Sequence, residues 1–256
     1  MKKAKKSIAI LLAVVMMFAL TACGSIKELA SIKNMGKTEV AQNDGDSFAG
    51  NILGDYVAAD VGDIIEFGAY EQDNDTSNGK EDIEWQVLAK EDNKILVISK
   101  YALDAKPYNT EWENVTWETC TLRTWLNETF LDEAFSKAEK SMIQTTEVSA
   151  DKNPDYSTDP GNATKDKIFL LSIDEANKYF ASDEAKMCAP TAYAIANGAW
   201  TSEENGAVIC SQWLRSPGYD QHLAASVFNG SVYSNGYEVN FSNVCVRPAM
   251  WIDLDA

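Results

Sequence analysis

The residues that could do chemistry in this chain are few, and they do not form a known catalytic set. There is one histidine, His222, beside Asp220 and Gln221, so histidine triads and multi-histidine metal sites are excluded by count. No glycine-rich phosphate loop, dinucleotide-binding motif or nucleophile elbow occurs. Carboxylates are abundant, but the sequence does not show which two would face each other across a glycosidic bond. We therefore predict a protein that is not an enzyme and needs no cofactor.

The cysteines could support redox or metal chemistry, but their spacing argues against both. No two cysteines of the sequence have the C-x-x-C spacing that is typical of zinc sites and of thioredoxin-like redox pairs. The cysteines are Cys23, Cys120, Cys188, Cys210 and Cys245. Cys210 and Cys245 lie at the outer ends of two predicted strands. A disulfide between them is one prediction, because the oxidising compartment of an exported protein permits disulfides to form. The alternative is that all the cysteines after Cys23 are small buried apolar residues.

One acidic stretch partly resembles a calcium-binding loop. Asp73, Asp75 and Ser77 alternate as in an EF-hand, and Glu84 comes eleven residues after Asp73. The glycine, Gly79, falls one place late, and the flanking segments are predicted strands instead of helices. We therefore predict a solvated hairpin loop and no metal site.

The first residues of the chain predict export and a lipid anchor. A lysine-rich start is followed by an apolar run over residues 8–20, which is too short for a comfortable membrane span. The following Leu20-Thr21-Ala22-Cys23-Gly24 resembles the lipobox of bacterial lipoproteins, which implies cleavage before Cys23 and lipidation of its thiol. The alternative is a plain secretory signal. We expect a signal peptide at 1–22, a flexible tether at 23–60, a domain at 61–256, and a location on the extracellular face of the cell membrane.

The charge of the chain excludes one class of partner. Its formal net charge is −17, and residues 1–22 hold four lysines and no acidic residue, so the processed protein would be more acidic still. Such a surface repels nucleic acid phosphates, and we predict no nucleic acid partner. The expected partners are an extracellular glycan or protein, and the membrane through the lipid anchor.

The elements that must position these residues follow from the spacing of apolar side chains. Alternating or continuous short apolar runs predict strands over residues 62–70, 83–89, 94–99, 143–148 and 167–171. Helical spacing runs from Leu122 to Phe135, with a predicted break at residues 127–131. A capping box at Ser172-x-x-Glu175 begins another helix. Strands at both ends with two or three short helices between them predict an α+β fold with a mostly antiparallel sheet.

The block from Ser211 to Trp251 is the most informative stretch. Asn229-Gly230 and Asn235-Gly236 are strong hairpin signals between short alternating segments. The residues around them mix aromatic faces with amide and hydroxyl groups, a composition suited to adaptable recognition. The alternative is that Asn and Ser make turns while alternate aromatics pack. We predict ligand-binding roles for Tyr219, Asp220, His222, Phe228, Asn229, Ser231, Tyr233, Asn235, Tyr237 and Asn240.

Five segments stand out for their mixture of Trp, Arg, Pro and Gly with small apolar residues: Thr121-Leu122-Arg123-x-Trp125-Leu126-Asn127, Trp213-Leu214-Arg215-Ser216-Pro217-Gly218, Ala225-x-Val227, Gly230 and Val246-Arg247-Pro248-Ala249. In this order, they resemble an uncharacterised bacterial surface domain that occurs in exported proteins of Gram-positive gut organisms. The closing part is also similar, more distantly, to the C-type-lectin-like fold of formylglycine-generating enzymes. Cys245 stands where that fold usually has a glycine.

The resemblance implies a C-type-lectin-like domain in which part of the closing block is framework. Arg215 and Arg247 lie in apolar strands, so each needs a carboxylate or carbonyl partner if buried. Trp125, Trp213 and Trp251 are expected in the core. We therefore predict a non-catalytic surface module that binds a glycan, peptide or protein through its C-terminal hairpin loops. The alternative is a copper-dependent oxidase, related to the formylglycine generators, that uses Cys210 and Cys245.

Overall fold

The computed structural model describes residues 56–256 of the 256-residue chain. The predicted signal peptide, the lipidation residue Cys23 and most of the predicted tether lie outside the described residues. In chain order, the strands are β1 (Ile64–Tyr70), β2 (Glu81–Glu91), β3 (Lys94–Ser99), β4 (Asp104–Ala105), β5 (Thr146–Val148), β6 (Thr164–Asp166), β7 (Thr201–Glu204), β8 (Ala207–Cys210), β9 (Gln212–Pro217), β10 (Leu223–Phe228), β11 (Ser231–Glu238), β12 (Cys245–Val246) and β13 (Ala249–Asp253).

Two larger sheets carry most of these strands. The first has the order β1-β2-β3-β13 and the second the order β11-β10-β9-β12-β4, while β5-β6 and β7-β8 form two-stranded sheets. Among the named strands, all pairings are antiparallel except that of β12 with β9, where Cys245 lies opposite Gln212. The last strand, β13, belongs instead to the first sheet, where it pairs with β3 and Trp251 lies opposite Leu96. The block from Ser211 to Trp251 is thus divided between two sheets.

Short helices connect the strands. They are α1 (Thr121–Trp125), a π-helical turn (Leu126–Phe130), α2 (Leu131–Ala134), α3 (Lys137–Met142), α4 (Ile173–Tyr179), α5 (Asp183–Lys186) and α6 (Ala192–Ala196). The capping box predicted at Ser172 and Glu175 is present at the start of α4. Within residues 56–256, no helix has the length and apolar character needed to cross a membrane.

The predicted break at residues 127–131 is wrong, because the chain stays helical through the π turn. Asn127 is held there by its side chain, whose amide nitrogen donates to the carbonyls of Arg123 and Ile168. Its amide oxygen accepts the backbone N–H of Lys167 and of Ile168. The amide thereby links the helical segment to the chain that follows β6.

One hydrophobic cluster fills the space between these elements. It includes Trp85 and Met250 from the first sheet, Trp213 from the second and Phe130 from the π turn. Tyr56 also belongs to it, so the core includes a residue that precedes β1. The α+β class with mostly antiparallel sheets is confirmed, although the short helices outnumber the two or three predicted.

Candidate functional site

The predicted hairpin at Asn229-Gly230 is present and joins β10 to β11. Asn229 has φ 49° and Gly230 has φ 80°, the left-handed conformations that a tight hairpin turn requires. A Cβ at Gly230 would lie 2.2 Å from the carbonyl oxygen of Asp183. Ser231 donates its hydroxyl to Asp183 at 2.9 Å. The turn is therefore seated against α5, and only glycine fits at its second position.

The second predicted hairpin is wrong, because Asn235-Gly236 lies inside β11. Ser226 pairs with Tyr233 and Ala224 pairs with Tyr237, so β11 has extra residues between two aligned pairs. This is a bulge, in which Gly236 has φ 80°. The bulge lets β11 continue past Asn235 and sets the position of Tyr237.

An aromatic groove with a volume of about 310 Å³ lies at one face of this region; its lining residues are Trp200, Ser211, Phe228, Tyr237, Phe241, Asn243 and Val244. Trp200 stacks on Phe228 with ring centroids 5.5 Å apart. Tyr237 stacks on Phe241 at 6.3 Å. The groove therefore presents aromatic faces from three segments of the chain: the residue before β7, the end of β10, and the end of β11 with the turn that follows it.

The polar groups of the groove come from Ser211, Tyr237 and Asn243. The Ser211 hydroxyl is buried and makes no hydrogen bond of normal geometry within residues 56–256, but it lies close enough to the Tyr237 hydroxyl to affect the pKa of that group. Burial raises the pKa of Tyr237, an effect that the nearby Ser211 hydroxyl partly offsets and Tyr233 reinforces. Tyr237 therefore presents a neutral phenol that can donate and accept hydrogen bonds.

Five of the predicted ligand-binding residues gather at or beside the aromatic groove. Phe228 and Tyr237 line it, and Tyr233 lies 5.2 Å from Tyr237, centroid to centroid. Asn229 accepts a hydrogen bond from Ser202 at 3.0 Å. Ser231 is engaged with α5, as described above. Of these, Phe228 and Tyr237 are placed to contact a ligand directly.

The other predicted ligand-binding residues do not line the groove. Tyr219 lies 6.0 Å from Tyr156 between ring centroids, and the Tyr156 hydroxyl donates to Asn235 at 2.8 Å. The ring of His222 packs edge-on against Trp112. His222 Nδ1 is 3.7 Å from an Asp220 oxygen. Asn240 is exposed on the turn after β11. The ten residues are therefore not one site.

The lining residues that the sequence analysis did not predict are Trp200, Ser211, Phe241, Asn243 and Val244. Trp200 precedes the β7–β8 hairpin, whose turn at Asn205-Gly206 has φ 51° and 81°. That Asn-Gly pair is a hairpin signal that could have drawn attention to this segment. The backbone N–H of Trp200 donates to the Asn243 carbonyl at 2.8 Å. No local signal predicts that contact, because it joins residues far apart in the chain.

Arg215 is buried in β9 and finds the partners that its burial demands. Its guanidinium binds both oxygens of Glu175, one of them by a very short contact. It also binds Asp151 at 2.9 Å and donates to the carbonyls of Leu170 and Ser149. This network ties α4 and two loops to the second sheet, away from the groove lining.

The remaining predicted framework residues lie against the core. Arg247 is buried, donates to the Ser99 carbonyl at 2.8 Å and lies over the Phe180 ring. Trp213 is buried and donates its indole N–H to the Lys106 carbonyl at 2.9 Å. Trp251 is buried under Lys94, and Trp125 is partly buried under Lys106.

The four cysteines within residues 56–256 are free thiols in the structure. Cys188, Cys210 and Cys245 form one small buried cluster with Ala102. Burial raises the pKa of the Cys188 thiol well above its ordinary value. Cys188 lowers the pKa of Cys210, but Cys245 and burial outweigh this and raise it overall. The Cys210–Cys245 bond is thus not formed here and stays a prediction for the oxidised protein.

A comparison with protein-family models found one match, which covers most of the described residues. The model of a domain of unknown function (DUF6273) matches residues 92–254. The chain belongs to this family. The DUF6273 match runs from the β2–β3 turn to the end of β13, so it includes the aromatic groove and leaves out β1, β2 and the loop between them. The predicted membership of an uncharacterised domain family is confirmed.

Comparisons with curated proteins and with solved structures found no match. The relationship to C-type-lectin-like domains and formylglycine-generating enzymes is not shown by them and stays a prediction. Because a fold does not by itself imply a function, the function is inferred from the groove itself.

Proposed function

We propose that this protein is a lipid-anchored, non-catalytic module of the cell surface that binds a glycan in the aromatic groove. The observation that carries the proposal is the lining of Trp200, Phe228, Tyr237 and Phe241 around the buried Ser211 hydroxyl. Sugar rings offer apolar C–H faces and hydroxyl edges. Aromatic side chains pack against the C–H faces, and a few convergent polar groups form hydrogen bonds with the hydroxyl groups.

The size of the groove favours a small ligand over a protein surface. Its volume of about 310 Å³ is at the lower end of small-molecule sites, which span about 300 to 1,000 Å³. A stable protein interface buries about 800 Å² on each partner. We therefore expect one or two sugar units to enter the groove, while a peptide or protein partner would need a much larger surface.

The lining supports binding in preference to catalysis. Within residues 56–256, the groove has no carboxylate, histidine or cysteine in its lining, and the pair of carboxylates used for glycoside hydrolysis is not supplied by it. The copper-dependent oxidase alternative is not favoured either. Cys210 and Cys245 are 4% and 0% exposed, whereas a cysteine that reacts with a substrate needs an accessible thiolate.

The membrane anchor rests on the segment from Leu20 to Gly24. Cleavage before Cys23 and lipidation of its thiol would hold the domain on the extracellular face through the tether. A Cys23→Ala variant expressed in a Gram-positive host should leave the membrane fraction and appear in the medium. Retention in the membrane fraction would contradict the anchor without affecting the proposal for the groove.

A glycan array probed with the purified protein tests the binding proposal. We expect a defined set of glycans to be bound, and Trp200→Ala and Phe241→Ala to weaken binding by about tenfold or more, since exposed aromatic anchors dominate such sites. Trp200 and Phe241 are 45% and 40% exposed, so neither change should unfold the domain.

Trp112→Ala is the matched control, because Trp112 is 58% exposed and does not line the groove. It should bind the same glycans with unchanged affinity. Equal binding by Trp200→Ala, Phe241→Ala and the wild type would show that the groove is not the site. Binding of no glycan at all would overturn the proposed function.

A further inference from the structure

Three carboxylates converge where the β1–β2 loop begins and ends. Glu71 follows the last residue of β1, Glu81 opens β2, and Asp73 lies in the loop between them. One oxygen from each of the three lies within 4.8 Å of the other two. Tyr70 pairs with Glu81 across the two strands, so strand pairing itself brings the ends of the loop together.

Glu71 is the unusual member of this acidic cluster, which we define as Glu71, Asp73 and Glu81. It is only 8% exposed, and its Oε1 is buried with no hydrogen-bond partner within residues 56–256. The backbone N–H of Asn74 interacts with the Glu71 carboxylate, while the carboxylates of Glu81 and Asp73 face it with like charge. A buried carboxylate oxygen facing two other carboxylates requires a compensating ligand or a proton.

No side-chain cation of the described part of the chain supplies that compensation. None of the salt bridges found within residues 56–256 includes a member of the acidic cluster. The nearest lysine in sequence, Lys80, donates instead to the carbonyl of Glu133 at 2.6 Å. Within residues 56–256, no lysine or arginine therefore forms an ion pair with these three carboxylates.

The loop holds the acidic cluster in place without a ligand. Glu81 Oε2 accepts the backbone N–H of Gln72 at 2.7 Å and of Asp73 at 3.2 Å. The Asn78 side chain donates to Asp73 at 2.7 Å. Tyr193 at the start of α6 donates its backbone N–H to the Gln72 carbonyl at 3.0 Å. A ligand would therefore find the oxygens already assembled, which lowers the ordering cost of binding.

We infer that Glu71, Asp73 and Glu81 form a divalent cation site, and that its ion is Ca²⁺. The donors are all carboxylate oxygens, which suit hard cations and not zinc or copper. Oxygens that share one Ca²⁺ lie about 2.3 to 2.6 Å from it and thus up to about 5 Å from one another. The cluster meets that spacing. The ion would supply the partner that Glu71 Oε1 lacks.

This site differs from the EF-hand-like pattern in the same loop. Glu84, the residue eleven positions after Asp73, binds Lys100 through both its oxygens and is not available to a cation. Asp75 accepts the backbone N–H and the hydroxyl of Ser77. Only Asp73 is common to the pattern and to the cluster, so two of the proposed ligands come from outside the pattern.

Titration calorimetry with CaCl₂ on the full chain, freed of metal by a chelator, tests the site. We expect one Ca²⁺ per chain with a dissociation constant on the order of 0.1 to 1 mM, as in extracellular modules. Glu71→Gln preserves the shape of the side chain and removes a charge. It should weaken Ca²⁺ binding by about tenfold or more, because the number of charged ligands sets the affinity.

Glu66→Gln is the matched control, because Glu66 is an exposed residue of β1 and the change removes the same charge. It should leave Ca²⁺ affinity within about twofold of the wild type, since exposed charges at a distance are screened. Thermal unfolding gives a second readout. Glu71→Gln should raise the Tm of the metal-free protein, because it relieves repulsion, and should abolish the rise in Tm that Ca²⁺ produces in the wild type.

Two outcomes would overturn the inference. One is the absence of stoichiometric binding at millimolar Ca²⁺, which would mean that Glu71 is compensated by a proton shared with Asp73. The other is an equal loss of affinity in Glu66→Gln and Glu71→Gln, which would mean diffuse attraction to an acidic surface. Both are independent of glycan binding, because the acidic cluster shares no residue with the aromatic groove.

Discussion

Replacing Arg215 with methionine should destabilise the fold far more than removing a surface charge. In the native protein, its guanidinium contacts Glu175 and Asp151 and donates to the carbonyls of Leu170 and Ser149. Methionine fills much of the same space without any donor. The change therefore isolates the loss of the polar network from the loss of packing.

The expected loss in the free energy of unfolding depends on how well Glu175 and Asp151 are solvated once Arg215 is gone. Removing one member of a buried ion pair costs about 3 to 5 kcal/mol when the other charge stays buried. The side chains of Glu175 and Asp151 are 26% and 25% exposed, so water can partly solvate them after the change. We therefore expect a loss at the lower end, about 3 kcal/mol, which corresponds to a fall in Tm of about 6 to 12 °C for a domain of this size.

Urea unfolding of the wild type and of two variants measures this effect. Lys140→Met is the matched control, because the Lys140–Asp132 ion pair has an N–O distance of 2.7 Å and is solvent-exposed. Surface pairs of this kind contribute about 0 to 1 kcal/mol. A loss of less than about 1 kcal/mol in Arg215→Met, or one equal to that in Lys140→Met, would refute the reasoning.

Two further predictions concern the bulge and the thiols. Gly236→Ala should cost about 2 kcal/mol or more, because a Cβ there would lie 2.5 Å from the Ala224 carbonyl oxygen. Gly206→Ala, with nearly the same φ but open space around it, should cost clearly less in the same urea assay, and equal costs would contradict the close approach. In the reduced, native protein, Cys188 and Cys210 should resist labelling by a thiol reagent at pH 8, because their pKa values are raised and the thiolate is the reactive form. Rapid labelling before denaturation would contradict their burial, and a thiol count on the denatured, unreduced protein would show whether Cys210 and Cys245 are bonded.

Local features of the fold could be predicted from the sequence, because they depend on a few neighbouring residues. Strand β3 has the predicted bounds, Lys94 to Ser99, since a short apolar run follows the Asp92-Asn93 turn. The capping box at Ser172 and Glu175 forms as its spacing predicts. The Asn229-Gly230 turn forms because these two residue types tolerate positive φ.

The same dipeptide at Asn235-Gly236 shows where local reasoning fails. Gly236 adopts positive φ as expected, but the chain does not reverse there. Tyr233 and Tyr237 both pair with β10, so the strand continues across the bulge. Residue type permits a backbone conformation, whereas pairing with the neighbouring strand decides whether that conformation becomes a turn or a bulge.

The sequence by itself determined the α+β class, the Asn229-Gly230 turn and the start of α4, because periodicity and capping act over a few residues. Only the tertiary structure revealed the aromatic groove. There, the residue before the β7–β8 hairpin, Trp200, stacks on Phe228 and donates its backbone N–H to the Asn243 carbonyl. The tertiary structure also decided the acidic cluster, because strand pairing brings Glu81 back to Glu71. The physical reason is the same in both cases: contacts between distant segments depend on how sheets pair and pack, and no short stretch of the chain encodes them.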